Sequence, residues 1–287
     1  MSEPENAPSE SPTVEDSTAK EVLGHGDLQP ILPGPEASDY ERYLRTDELL
    51  ALQKTPEEMV HRDERLFQTV HQSSELWLKL AVFETEAAIA RIGSDDLVLA
   101  VRLLGRANHS VILTTDALHV LERLSPWEYH ELRKALGHGS GFDSPGWKQL
   151  RRLAHPLWDA FSALLDRRGL ELADVYVREP EHPSVYDLAE ALIEFDERIA
   201  IWRSVHVKMV QRVIGGGAIG TQGTPVAVLA GMTTKELASG SSLRGCSAGS
   251  FSRSSLGELR SWCSMRSRCR SCTPTSGSRS GGARSRS

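Results

Sequence analysis

The chain has 287 residues, enough for one large domain or two ordinary ones, and a formal net charge of -6. The charge is unevenly spread: residues 241–287 carry nine Arg against one acid, Glu258, a balance of +8 that leaves -14 for the rest. An acidic body argues against nucleic acid as the main partner, because phosphate binding needs a basic face. All four cysteines (Cys246, Cys263, Cys269, Cys272) lie in that same segment. The body therefore has no disulfide framework and no thiolate metal site, which fits a reducing cytosol.

Residues 1–37 are rich in Pro, Glu and Ser and lack an apolar period, which predicts a disordered acidic arm. With no basic n-region and no apolar h-region, the N-terminus does not read as a secretory signal. The arm's end, GDLQPILPGPEASDY, is the part expected to order against the body. A helical domain is expected over 38–237. Its first element is a helix over 38–54, with Tyr40, Tyr43, Leu44 and Leu50 facing inward. Residues 63–93 read as one long helix started by Asp63 and stopped by Gly93. A second long helix runs from Asp95 to about Leu124, ended by Ser125-Pro126, and Pro126 then suits the first turn of a short helix from Trp127 to Leu136. The run from Gly137 to Gly146 holds four Gly and one Pro and reads as a loop.

Two more helices follow, over 147–168 and about 184–214. The last has a stripe of Leu188, Leu192, Phe195, Ile199, Trp202, His206, Met209 and Val213 at alternating steps of four and three, the spacing of one helix face. Only the segment from Leu172 to Glu179 looks strand-like. The fold class expected is all-α, a bundle of long helices with cofactor space between them. No apolar run approaches the ~20 residues that span a bilayer, so no membrane partner and a cytoplasmic location are expected. From Ala238 to the end Ser, Arg, Gly and Cys dominate, a low-complexity composition that cannot bury enough surface to fold. The abrupt switch reads as out-of-frame translation of a GC-rich gene. A zinc knuckle on Cys263, Cys269 and Cys272 is a weak alternative, since no ligand His stands among them.

Two histidines lie on apolar helix faces. A lone helical His is more often a core residue bonded to a neighbour than a ligand. His206 departs from that pattern because a glycine-rich stretch, Gly215 to Pro225, leaves the end of its helix and lets backbone approach a ligand closely. That stretch has no strand before it and no Lys-Ser/Thr after it, so it is not a nucleotide loop. His71 shares a face with Phe67, Ser74 and Leu78, widened by Trp77 and Val70. No second His follows at i+4, which excludes a zinc-protease helix; Glu75 at i+4 keeps a non-haem metal site open as a minor option. Tyr129 and Arg133 sit four apart on one helix, a phenol and a guanidinium fork suited to a substrate carboxylate. Ser140 and Gly141 follow in the loop.

The ordered segments DERLFQTVHQSSELWLKL, LRKALGHGSGF, WRSVHVKMVQRVIG and GTQG, with YERYLRTDELLALQ upstream, resemble the tryptophan 2,3-dioxygenase family from about Asp39 to Thr224. The resemblance implies an all-helical protein binding haem b in the ferrous state, dioxygen as co-substrate, and a homotetramer built as a dimer of dimers. His206 matches the family's proximal haem ligand and His71 its distal histidine near the indole nitrogen. Phe67 matches an aromatic residue of the substrate pocket. Arg133 and Tyr129 match residues that hold the substrate carboxylate, and Thr221 the threonine near its ammonium and carboxylate. Ser140 matches a pocket serine, and Tyr40 and Tyr43 match positions that help complete a neighbour's site. The implied reaction adds both oxygen atoms across the indole C2–C3 bond of L-tryptophan or a substituted tryptophan, giving N-formylkynurenine.

Three departures stand out. The family commonly reads Ser-Pro-x-Ser-Gly-Phe where this chain has Gly137 to Phe142, which adds His138. The glycine loop has Gln222 and Thr224-Pro225 in place of small residues. The family's C-terminal helix is replaced by the Ser/Arg segment. Alternatives are therefore a homologue that binds haem or tryptophan without turnover, and a haem monooxygenase-like enzyme giving an oxindole.

Overall fold

The computed structural model describes residues 29–220, 222–223 and 225–232. The low-complexity segment, most of the acidic arm and the zinc-knuckle cysteines lie outside the described residues. The chain divides into two compact units, one ending at Lys54 and one beginning at Thr55.

In the first unit, the helix expected over 38–54 is two short ones, α1 (Asp39–Leu44) and α2 (Thr46–Leu50). Ser38 and Glu41 form a capping box at the start of α1. Arg45 breaks the run by adopting a left-handed conformation, φ 53°. The backbone N–H groups of Ile31 and Leu32 donate to the Asp39 carboxylate at 3.0 and 2.8 Å, which lowers its pKa. The expected inward positions are exposed in this chain: Tyr40 at 69%, Tyr43 at 78%, Leu44 at 44% and Leu50 at 69%. Helices of five and six residues offer too little surface to bury them.

The second unit is built from α3 (Glu64–Gly93), α4 (Leu97–Leu121), α5 (Pro126–Arg133), α6 (Pro145–Arg168), α7 (Leu172–Val177), α8 (Pro183–Ile214) and α9 (Val226–Met232). Among the described residues there is no strand, only an isolated bridge between Ile219 and Pro225. The architecture is all-α. Helix α4 packs against α3 on one side and α8 on the other, and α6 lies along α3. Asp96 caps α4, Ser125 and Glu128 form a capping box on α5, and Ser144 caps α6, each side chain accepting a backbone N–H left free by the helix start. Gly169, at φ 60°, ends α6 in the conformation glycine adopts without strain.

The stripe read along α8 faces the core: Leu188, Leu192, Phe195, Ile199, Met209 and Val213 are all buried. The strand-like segment is the short helix α7. Val175 and Tyr176 are buried side by side, which an alternating strand facing one core does not do. The Tyr176 hydroxyl donates to Glu190 of α8 at 3.0 Å and ties α7 down. Helix α9 was not anticipated.

By length and composition α4 is apolar enough to cross a membrane, which corrects the expectation that no segment approaches that threshold. Half of its apolar window is buried inside the protein, and Asn108, buried at its centre, donates to the Ala191 carbonyl of α8 at 3.2 Å. Packing between α3 and α8 explains its apolarity without lipid.

Two apolar clusters result. The larger joins α3, α4, α6 and α8 through Leu78, Leu104, Leu150, Phe161 and Leu188. The smaller gathers Val70, Leu118, Leu121, Leu124, Met209 and Val213, with Phe67, Tyr129 and Trp202 packed against it. It lies where the start of α3 meets the ends of α4 and α8, and there the helices part around a cavity.

Candidate functional site

The cavity measures about 440 Å³, within the range of ~300–1,000 Å³ usual for small-molecule and cofactor sites. Phe67, His71 and Glu75 of α3 form part of its wall, with Tyr129 of α5. Ser140, Gly141 and Phe142 of the following loop form another part. Helix α8 contributes Trp202, Arg203, His206 and Val210, and the glycine loop contributes Gly220 and Gln222. Five of the residues expected at a site are thus brought together: Phe67, His71, Tyr129, Ser140 and His206.

The two histidines face the cavity from different helices. On α3, the His71 Nδ1 lies 2.8 Å from the Phe67 carbonyl oxygen. A carbonyl can only accept, so the neutral ring carries its proton on Nδ1 and leaves Nε2 as an acceptor. The Phe67 ring stacks on it at 4.0 Å. His71 keeps accessible surface, yet desolvation by the groups packed around its ring lowers its pKa, opposed by the Phe67 carbonyl and the Glu75 charge.

On α8, Trp202 lies one turn before His206 and stacks on it at 4.8 Å with an interplanar angle of 9°. Trp147 of α6 packs on Trp202 at 4.1 Å. The aromatic column fixes the plane of the His206 ring. Burial, with repulsion from His71, lowers the His206 pKa to about 4, so the imidazole is neutral with a free lone pair. A Cβ added at Gly141 of the loop would sit 3.9 Å from its Nε2.

Glu75, kept open as a metal ligand, has another task. Its carboxylate accepts from the Ser144 hydroxyl at 2.5 Å and from the Gly146 N–H at 3.0 Å, clamping the start of α6 onto α3. Among the described residues no group of three His, Cys, Asp or Glu is placed to hold a metal ion directly. The non-haem option is thereby corrected: the acid beside His71 is already spent on a helix start.

Arg133 is not part of the cavity wall. Its Nη2 donates to the Ile219 carbonyl at 2.8 Å, joining α5 to the glycine loop. Tyr129, one turn earlier, is partly buried and its phenol pKa is raised by desolvation, so it stays protonated. Thr221 lies outside the described residues. Tyr40 and Tyr43 belong to the unit ending at Lys54. His138 is exposed and does not line the cavity. Sequence reasoning missed Trp147, Arg151 and Arg203 in the wall; Trp202 was in the α8 stripe, and its place four residues before His206 was the available signal for the stack.

The donor set suits a flat, apolar, axially ligated prosthetic group. A neutral imidazole with an open lone pair is a normal axial ligand for haem iron, and the leucine and valine walls suit a porphyrin. A second imidazole faces the same space.

An all-helical unit with two imidazoles lining one apolar cavity defines a class of helical ligand- or cofactor-binding proteins. Comparison with known proteins narrows it. A family model described as tryptophan 2,3-dioxygenase matches residues 30–157. The chain is 32% identical over 230 residues to tryptophan 2,3-dioxygenase of Rhodococcus jostii, covering 63% of this chain and 81% of that protein. It is 33% identical over 229 residues to that of Kineococcus radiotolerans, covering 61% and 79%. It is 34% identical over 236 residues to that of a Bradyrhizobium strain, covering 64% and 84%. The chain belongs to the tryptophan 2,3-dioxygenase family, a family of oxidoreductases.

Proposed function

We propose that this chain is a haem-dependent dioxygenase that opens the indole ring of L-tryptophan or a substituted tryptophan, giving the N-formylkynurenine product. The observation that carries the reading is the pair of neutral imidazoles facing one cavity from α3 and α8, with His206 held flat by Trp202. His206 is the proposed axial ligand. Haem held there by His206 would supply the ferrous iron for the dioxygen chemistry.

The protein's own part is to bind, orient and keep dry. His71 presents Nε2 as an acceptor, so it takes a hydrogen bond from the indole N–H without accepting the proton outright. Phe67, stacked on His71, gives the indole an apolar face. Arg133 is the proposed carboxylate holder: its guanidinium has five donors and one is used on Ile219. Tyr129 adds a neutral O–H donor, and Ser140 and Thr221 are proposed as further polar contacts. Leu121, Leu124 and Val213 exclude water from the reacting bond. Both oxygen atoms of dioxygen end in the product, so no external reductant is consumed.

By family likeness, we further propose a cytoplasmic homotetramer, a dimer of dimers. The exposed rings of Tyr40 and Tyr43 support a role for them in a neighbouring copy's site. The deciding experiment is a visible spectrum of the haem-supplied protein together with the product mass. A Soret band lost in His206→Ala, and a product heavier than tryptophan by two oxygens, are expected. One added oxygen would mean an oxindole-forming monooxygenase, and tryptophan binding without product a non-catalytic homologue.

A further inference from the structure

The glycine loop between α8 and α9 is pinned to the rest of the unit at two points. One is the Arg133–Ile219 bond. The other is Gln222, whose Nε2 donates to the Asp143 Oδ2 at 2.6 Å across 79 residues of sequence. Asp143 closes the short 3-10 turn Gly141–Asp143, and its carboxylate is held from the far side by the Lys148 ammonium at 3.5 Å. Both partners sit on strips of backbone that wall the cavity: Gly220 and Gln222 on one side, Gly141, Phe142 and Ser144 on the other. Their bond joins these two strips through side chains. The bond is short and has an ionised acceptor, the stronger kind.

We propose that Gln222 is a positioning residue: by its bond to Asp143 it straps the glycine loop across the cavity and sets how firmly an amino-acid substrate is retained. The proposal rests on the reading of Arg133 as the carboxylate holder. Of the two pins, one uses the proposed carboxylate holder, while Gln222–Asp143 uses no group assigned to the substrate. The strap therefore holds the loop independently of how Arg133 meets the ligand. A residue with no side-chain donor at 222 cannot make this bond.

The test uses the full-length, haem-loaded protein and has two readouts. Hydrogen exchange of the segments around 140–143 and 219–223, followed by mass spectrometry, reads the strap without any turnover. Steady-state kinetics with L-tryptophan reads its consequence. Gln222→Ala should speed exchange in both segments together and raise KM about three- to tenfold, the range one net hydrogen bond supplies, with kcat and the Soret band unchanged. Gln222→Glu should be worse, because two carboxylates then face each other. Adding Asp143→Asn to Gln222→Glu should restore exchange and KM, since the asparagine amide donates in the reverse direction. Unchanged exchange in Gln222→Ala, or a double variant no better than Gln222→Glu alone, overturns the strap. If exchange follows the pattern but wild-type protein neither binds nor converts L-tryptophan, the strap stands and the substrate reading falls.

Discussion

Gly146 is the most closely enclosed of the second unit's described glycines, and replacing it with alanine has a calculable cost. A methyl group there would lie 2.5 Å from the Leu78 Cβ, 2.9 Å from a Glu75 carboxylate oxygen and 3.1 Å from the Leu78 Cδ1. Non-bonded carbons rest at about 3.5–4.0 Å, so α6 and α3 must separate by roughly 1 Å at this crossing. Leu78 is 1% exposed and cannot swing away. Overpacking of this kind costs about 1–3 kcal/mol. The same separation stretches the Glu75 bonds to Ser144 and Gly146, which cap α6, for about 1 kcal/mol more. The expected loss is about 2–4 kcal/mol, or roughly 5–15 °C in Tm for a domain of this size. Urea unfolding of Gly146→Ala should show a lower midpoint with the slope unchanged. A variant within about 0.5 kcal/mol of the parent would refute the claim that backbone contact between α3 and α6 fixes this corner of the cavity.

Other expectations concern pH and the site. In ligand-free protein the His206 pKa is lowered from 6.5 to about 4 by burial, and that of His71 is lowered as well. Above pH 6.5 both rings are neutral whether the chain is folded or not, so they add no slope. Below it the unfolded chain takes up protons first, and stability should fall by about 1.4 kcal/mol per pH unit for His206 until about pH 4. Urea titrations between pH 7 and 4 should show that slope reduced in His206→Asn; an equal slope in both proteins would contradict it. Arg133→Ala should raise KM for L-tryptophan about 10- to 100-fold, the worth of a charged hydrogen bond, with the haem spectrum intact. Asn108→Ala should cost about 1–3 kcal/mol by removing its bonds to the Ala191 carbonyl and the Glu194 carboxylate, with no change in KM.

The long helices were legible because their apolar spacing persists for more than six turns. Six of the eight positions of the α8 stripe are buried, and the other two, Trp202 and His206, line the cavity. The short elements were not. Over 38–54 helical composition conceals the turn at Arg45, whose positive φ no side chain advertises. In α7 the β-branched valines mimic a strand, and the tertiary bond from Tyr176 to Glu190 decides otherwise. At the site, His71 and His206 could be singled out because a histidine interrupts an apolar stripe. Glu75 looked like a metal ligand because spacing along α3 cannot reveal that α6 arrives to take its carboxylate. Gln222 registered only as a departure from small residues, since its partner is 79 positions away.

The aromatic column of Trp147, Trp202 and His206 has an optical consequence. Trp202 stacks on the proposed ligand at 4.8 Å, and Trp147 lies behind it at 4.1 Å from Trp202. Any strongly absorbing molecule seated on His206 would drain their excited states by energy transfer. The chain thus carries its own gauge of occupancy: ultraviolet emission from Trp147 and Trp202 would dim as the cavity fills and brighten as it empties. Loading could then be followed in real time without a label.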